Sequence, residues 1–205
     1  MDLMQVRRRM MTQMKKSRLP NEYQEVEYLE ATGRQRIDTD IYTSKSDNTE
    51  YDTVVGYWTL NKTRQLMGAD YGAYFGVSSN NHYEVYNESR IIPSTSEYDV
   101  IHFQQDIANR RQILTVNGTE VIRDNFTNWR VNLISIFALG TSEQWGSYQC
   151  RCRLKMFRIT RNQTILRDFV PCYRKSDGEI GMYDTVSKTF FTNQGTGTFL
   201  KGADV

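Results

Sequence analysis

The sequence holds little of what metal sites, disulfide frameworks or membrane spans require. It has three cysteines and two histidines in 205 residues, and without a CxxC motif no thiolate or histidine zinc spacing can be assembled. Cys150 and Cys152 are two residues apart, which places both on one face of a strand without making them partners across a ladder. We therefore expect buried, reduced cysteines, no disulfide framework and no cofactor.

A membrane span needs about 20 consecutive apolar residues, and no such run occurs. The amino-terminal stretch MDLMQVRRRMMTQMKKS also lacks the continuous apolar segment and the small-residue cleavage site of a secretory signal. These absences predict synthesis in the cytoplasm of the producing cell and no membrane partner.

The formal net charge of +2 is unevenly distributed. Residues 1–18 contain six basic residues against Asp2, a net charge of +5, so the remainder carries −3. A mildly acidic domain with a basic tail lacks the broad positive face that binds duplex phosphates. Nucleic acid is therefore not an expected partner.

The tail has an apolar stripe at helical spacing, with a run of arginines largely opposite it. This arrangement predicts a short amphipathic helix, and a frayed tail is the alternative. A helix of this length is marginal in water, so we expect it to order against a partner or another copy. Pro20 follows, which divides the chain into an anchor at 1–18 and a domain at 19–205. The candidate docking residues are Leu3, Val6, Arg7, Arg8, Arg9, Met10 and Met14.

From Tyr23 onward, alternating or short apolar runs predict strands, and no convincing helix interrupts them. Asn117-Gly118 between two alternating runs predicts a hairpin, and Arg161-Asn162 is a weaker signal of the same kind. So many antiparallel strands can bury their apolar faces only as two stacked sheets or a barrel, and we favour an all-β two-sheet sandwich. The predicted strands are 26–31, 36–42, 50–58, 64–69, 73–78, 82–86, 98–107, 110–116, 119–123, 131–139, 150–159, 163–173, 181–184 and 189–193.

Two stretches resemble the concanavalin A-like, laminin-G-like jelly-roll modules of tailed bacteriophages and of prophages of gut bacteria. They are LPNEYQEVEYLEATGRQRIDTDI at 19–41 and RDFVPCYRKSDGEIGMYDTVSKTFFTNQGTGTF at 167–199. Together they bracket roughly residues 19–200, with the middle matching only in its alternation. Asp40 stands where a glycine is usual in that family, so the loop after Thr39 is expected to differ in shape.

The resemblance implies a jelly-roll sandwich in a virion structural or surface protein of the tail, baseplate or capsid decoration. It implies a virion location after synthesis in the bacterial host cytoplasm, and a lectin-like domain that binds host surface glycans. The amino-terminal helix would then dock on other virion proteins or form a homotrimer. A purely architectural protein without a ligand is a further alternative, because such folds host many functions.

The remaining alternative is a glycoside hydrolase, since laminarinase-type glucanases share this sandwich and carry a Glu-x-Asp-x-x-Glu strand. Residues 25–30, EVEYLE, have that outline. Alternation places Glu25 and Glu27 on one face and Glu30 on the other unless a bulge intervenes. Retaining hydrolysis needs two carboxylates about 5 Å apart beside a cleft. We therefore expect a charged strand edge here and no enzyme.

Glycan-binding candidates are exposed aromatic residues beside amide or carboxylate groups, because a pyranose has an apolar face and a rim of hydroxyls. Trp145 fits best, in the polar stretch TSEQWGSY with Glu143 and Gln144. Trp129 and Tyr83 are second choices, and packing in the core is the alternative for each.

Asp177-Gly178 and Asp184 have the residue types of a calcium loop. An isolated carboxylate beside a glycine is also ordinary turn chemistry. We therefore expect no metal, with calcium as the alternative.

Overall fold

The computed structural model describes residues 18–57, 64–69, 73–77, 82–85, 88–91, 97–125, 130–139 and 149–205. Across these ranges the regular structure consists of strands, and no described helix is long and apolar enough to cross a membrane. The predicted amino-terminal helix and its seven docking candidates lie outside the described residues.

Within the described residues, seventeen strands, numbered in chain order, form two sheets. Their bounds are β1 Tyr23–Glu25, β2 Leu29–Thr32, β3 Ile37–Tyr42, β4 Thr49–Gly56, β5 Arg64–Gly68, β6 Tyr74–Val77, β7 His82–Val85, β8 Glu88–Ile91, β9 Tyr98–Asp106, β10 Arg111–Val116, β11 Thr119–Asn125, β12 Leu133–Ile136, β13 Arg151–Arg161, β14 Thr164–Arg174, β15 Ile180–Asp184, β16 Thr189–Thr192 and β17 Leu200–Lys201.

The larger sheet has eleven strands in the order β11-β10-β9-β4-β13-β14-β15-β16, with β1 beside β14, β2 beside β13 and β17 beside β2. The smaller sheet has six strands in the order β3-β12-β5-β6-β7-β8. All pairs between these strands are antiparallel. The all-β, two-sheet antiparallel prediction is therefore confirmed.

The two sheets stack through one apolar core, which makes the domain a sandwich. The ring of Phe75 on β6 lies 5.6 Å from that of Phe103 on β9, and Phe103 in turn stacks on Tyr51 of β4 at 5.6 Å. All three side chains are fully buried. Burial of each apolar side chain of this size contributes about 1.5–3 kcal/mol, so these rings are a main cause of the stacking.

The strand predicted at 26–31 is divided in the structure. Residues Tyr23–Glu25 pair with β14, Val26 makes a single bridge to Asp204, and Leu29–Thr32 pair with β13 and β17. The chain therefore changes partners between Glu25 and Leu29, which alternation alone does not indicate.

Asp40 adopts a left-handed backbone conformation, with φ of 58°. Glycine takes this conformation without steric cost, and the pairing of β3 with β12 shifts register between Asp38 and Tyr42, so the chain after Thr39 continues as an irregular strand and not as a loop. The neighbouring Thr39 is fixed, because its hydroxyl donates to the carbonyl of Ile134 at 2.7 Å.

Candidate functional site

Four of the five glycan-binding candidates chosen from the sequence, Glu143, Gln144, Trp145 and Trp129, lie outside the described residues. The fifth, Tyr83 on β7, is 4% exposed, and its hydroxyl donates to Asp99 Oδ2 at 2.6 Å. Its ring therefore packs in the core, which is the alternative that the sequence left open for it.

A row of side chains crosses the outer face of the larger sheet. Glu30 on β2 lies opposite Arg153 on β13, Arg153 lies opposite Gly56 on β4, and Gly56 lies opposite Tyr98 on β9. The strand neighbours Leu29, Leu154 and Val55 are buried in the core. Because successive side chains on a strand point to opposite faces, the row points away from the core.

The row is rich in tyrosine and has cations between and beside the rings. We call it the tyrosine row, and it comprises Tyr28, Tyr57, Tyr98, Arg153 and Lys155.

Arg153 is the centre of the tyrosine row. Its guanidinium carbon lies 4.4 Å from the ring centre of Tyr28 and 4.2 Å from that of Tyr57. Its Nε donates to Glu30 at 2.7 Å, and this hydrogen bond raises the pKa of Arg153. A planar guanidinium stacks on aromatic faces and stays charged, so Arg153 holds two rings apart at a fixed spacing.

Tyr57 is an exposed member of the tyrosine row, and its backbone is strained. It is 48% exposed and has a φ of 55°, which is uncommon for a bulky residue and costs about 1–2 kcal/mol. Its hydroxyl donates to Glu97, and its ring meets Tyr98 edge-on at 5.5 Å. A strained residue persists only where its surroundings impose the conformation, and such residues cluster at functional sites.

Gly56 makes room for this geometry. A Cβ at position 56 would lie 2.2 Å from the carbonyl oxygen of Glu97 and 2.8 Å from the ring of Tyr98. Both distances are too short for a side chain, so the close approach of Tyr98 to β4 requires glycine here.

Lys155 is the second cation of the tyrosine row. Its ammonium is 3.8 Å from the ring centre of Tyr98, within the range of a cation–π contact. Burial raises the pKa of the Tyr98 phenol, which therefore stays protonated at neutral pH. The row thus presents the exposed side chain of Tyr57 beside two cations that lie over the tyrosine rings and the carboxylates of Glu30 and Glu97.

Sequence reasoning did not identify this row. The alternation in CRCRLK does indicate that Arg151, Arg153 and Lys155 share the face opposite Cys150 and Cys152. Nothing local, however, indicates that β4 and β9 bring Tyr57 and Tyr98 beside them.

Asp177 and Asp184, the two candidate calcium ligands, accept hydrogen bonds from other groups of the protein. Asp177 accepts from Arg174 at 2.6 Å and from the backbone N–H of Glu179 at 3.1 Å. Asp184 accepts from the backbone N–H groups of Val186 and Ser187. Within the described part of the chain, no group of three or more His, Cys, Asp or Glu side chains could hold a metal ion.

The acidic stretch at 25–30 does not form one strand. Glu25 ends β1 opposite Cys172, and burial raises the pKa of its carboxyl. Glu30 lies on β2 and accepts from Arg153. The first and last acids of the stretch therefore belong to different strand pairs.

The fold is similar to that of a proposed carbohydrate-binding protein from Bacteroides ovatus ATCC 8483, a solved structure, with a TM-score of 0.54 and 12% sequence identity. The similarity covers 88% of this chain, and this chain spans 62% of the length of that protein. No known family profile and no curated protein matches the chain. At this identity the likeness establishes a common sandwich fold.

Proposed function

We propose that this chain is a carbohydrate-binding protein whose tyrosine row contacts the sugar, on a jelly roll of the concanavalin A-like, laminin-G-like kind. The observation that carries the proposal is the half-exposed ring of Tyr57, held in a strained conformation beside Arg153 and Tyr98. A pyranose stacks its apolar face on such a ring and directs its hydroxyls to flanking charged groups.

The fold supports this proposal by analogy. The solved protein with a similar fold is itself proposed to bind carbohydrate. A shared fold hosts many functions, so the tyrosine row has the greater weight in the proposal.

The same geometry favours binding over catalysis, and we propose no enzymatic activity. Glu30 is engaged by Arg153, and Glu97 is engaged by the Tyr57 hydroxyl. Carboxylates that accept such hydrogen bonds are suited to hold rings and ligand hydroxyls in place. A retaining glycosidase instead needs an acid and a nucleophile facing each other across a cleft.

We further propose that the domain is displayed on a bacteriophage virion, in the tail, baseplate or capsid decoration, after synthesis in the bacterial host cytoplasm. It rests on the two stretches that resemble phage modules, at 19–41 and 167–199. Residues 1–18 would attach the domain to other virion proteins or form a trimer. Deletion of residues 1–18 should then abolish co-purification with particles, and unchanged co-purification would contradict the anchor.

The binding proposal is tested with purified protein on a glycan array, followed by titration of the best ligand. Tyr57→Ala should weaken binding about tenfold, because loss of one stacked ring removes roughly 1–1.5 kcal/mol. Tyr42→Ala is the matched control, since Tyr42 is 55% exposed but lies on β3 of the other sheet.

Three outcomes are informative. A blank array contradicts carbohydrate binding. Equal affinity of the wild type and Tyr57→Ala removes the tyrosine row as the site. Loss on Trp145→Ala with no loss on Tyr57→Ala assigns the site to residues 141–148, as the sequence predicted.

A further inference from the structure

The geometry of Lys155 points to a charged ligand, and we infer that the tyrosine row binds an acidic glycan whose anionic group pairs with the Lys155 ammonium. This inference rests on the proposed carbohydrate binding and names its ligand class. Two features of β13 support it. One is a bulge at Lys155, and the other is that Arg153 is paired with a carboxylate whereas Lys155 is not paired with one among the described residues.

The bulge lies at Lys155 in the pairing of β13 with β4. Leu154 lies opposite Val55 and Met156 lies opposite Val54, so Lys155 is the extra residue between them. A bulge changes the direction of a side chain and is common beside binding sites. Here the ammonium group of Lys155 lies 3.8 Å from the ring centre of Tyr98.

The two central cations of β13 differ in how they are engaged. Arg153 donates to Glu30 and lies against the rings of Tyr28 and Tyr57, so its charge is engaged within the tyrosine row. Among the described residues, no carboxylate lies within 4.0 Å of the Lys155 ammonium. No carboxylate of the described residues therefore takes up the donors of Lys155.

The sugar rings and the charge therefore have separate partners. Stacking on Tyr57 binds the apolar face of any pyranose, whereas the Lys155 ammonium, which lies over the Tyr98 ring, pairs with a carboxylate or sulfate on the adjoining sugar. A partly exposed ion pair contributes modestly, so we expect a preference of about fivefold for the acidic form of a glycan.

A matched pair of ligands isolates this effect. Oligogalacturonate and the same oligomer fully methyl-esterified have the same sugar backbone and differ at the carboxyl group, which is anionic in one and a neutral ester in the other, and calorimetry gives the affinity of the wild type for each. We expect about fivefold tighter binding of the charged oligomer, and this preference should fall as NaCl is raised from about 0.05 to 0.5 M.

Three variants complete the test. Lys155→Met should bind both oligomers equally, because it lacks the cation that distinguishes them, whereas Lys155→Arg should retain the preference. Lys45→Met removes the same charge from an exposed position in the connection between β3 and β4 and should change nothing. Circular dichroism confirms that each variant is folded.

The outcomes separate this inference from the proposed function. Equal binding of both oligomers by the wild type, together with equal binding of a sulfated galactan and its desulfated form, overturns the acidic ligand and leaves carbohydrate binding intact. No binding of any glycan overturns both. A preference for a sulfated galactan over its desulfated form, lost in Lys155→Met, supports the charge requirement and assigns it to sulfate. A preference that survives in Lys155→Met overturns the role of this residue.

Discussion

The buried carboxylate of Asp184 accepts a hydrogen bond from the backbone N–H of Asp168 at 2.7 Å. It also accepts from the backbone N–H groups of Val186 and Ser187, and Arg167 Nε lies 3.6 Å away. The Asp184 side chain therefore accepts the hydrogen bonds of the turn that joins β15 to β16, and it connects this turn to β14. A carboxylate is needed because several donors converge on it.

Replacing Asp184 should destabilise the domain strongly. Asp184→Ala leaves three N–H groups without their acceptor near a guanidinium, which should cost about 3 kcal/mol of unfolding free energy. Asp184→Asn keeps one side-chain oxygen and should cost less. Urea denaturation measures both, and the exposed Asp177→Ala is the control, expected to cost much less because solvent screens its ion pair with Arg174. Equal losses for Asp184→Ala and Asp177→Ala would contradict this role.

His102 should make stability depend on pH. Its Nδ1 lies 2.8 Å from Asp52 Oδ1, and this hydrogen bond raises the pKa of His102, with a smaller contribution from the charge of Glu50. A raised pKa means that the folded state binds the proton more tightly, so this stabilisation is complete below the unfolded pKa of about 6.5. It is lost as the pH rises through the folded pKa.

The effect of His102 should be modest, because its side chain is 37% exposed and that of Asp52 is 25% exposed. We expect about 0.5 kcal/mol, measured as the difference between the wild type and His102→Gln in urea denaturation at about pH 5.5 and pH 8.5. The wild type should lose its advantage at the higher pH. The same pH dependence in both proteins would contradict the role of the pair.

The three cysteines should be unreactive in the folded protein. All three are buried thiols, which confirms the expected burial, and Cys150 and Cys152 have their sulfur atoms 3.2 Å apart. Burial raises the pKa of Cys152 well above its ordinary value and that of Cys172 to about 12. Since the thiolate is the reactive form, alkylation at about pH 8 should be slow until the protein unfolds. Rapid labelling of the native protein would be the contrary result.

Local chemistry explains what the sequence could predict of the fold. The hairpin at Asn117-Gly118 is present, with φ of 50° and 84°, because these two residue types accept the left-handed conformation of a two-residue turn. The second hairpin turn lies one residue later than predicted, at Asn162 and Gln163, with φ of 46° and 67°. Glutamine carries no local signal for that conformation, so the sequence did not indicate it.

Long-range pairing explains what the sequence could not predict. The short strand β17 exists because Leu200 lies opposite Glu30, a contact between the two ends of the domain. The tyrosine row has the same origin, since Arg153 reaches Tyr57 only through the pairing of β13 with β4. Residues so far apart share no local periodicity, and their register is set by the whole sheet.

Replacing Asp40 with glycine should not destabilise the domain. Its φ of 58° costs an L-residue some steric energy, although aspartate tolerates this conformation better than most residues. Asp40→Gly should therefore match or slightly exceed the stability of the wild type, because relief of the backbone offsets the greater freedom of the unfolded chain. Asp40→Ala keeps the Cβ but loses the polar side chain and should be less stable than Asp40→Gly by about 1 kcal/mol. Thermal and urea denaturation of the three proteins give this order, and an alanine variant as stable as the glycine variant would show that the left-handed conformation is not retained in solution.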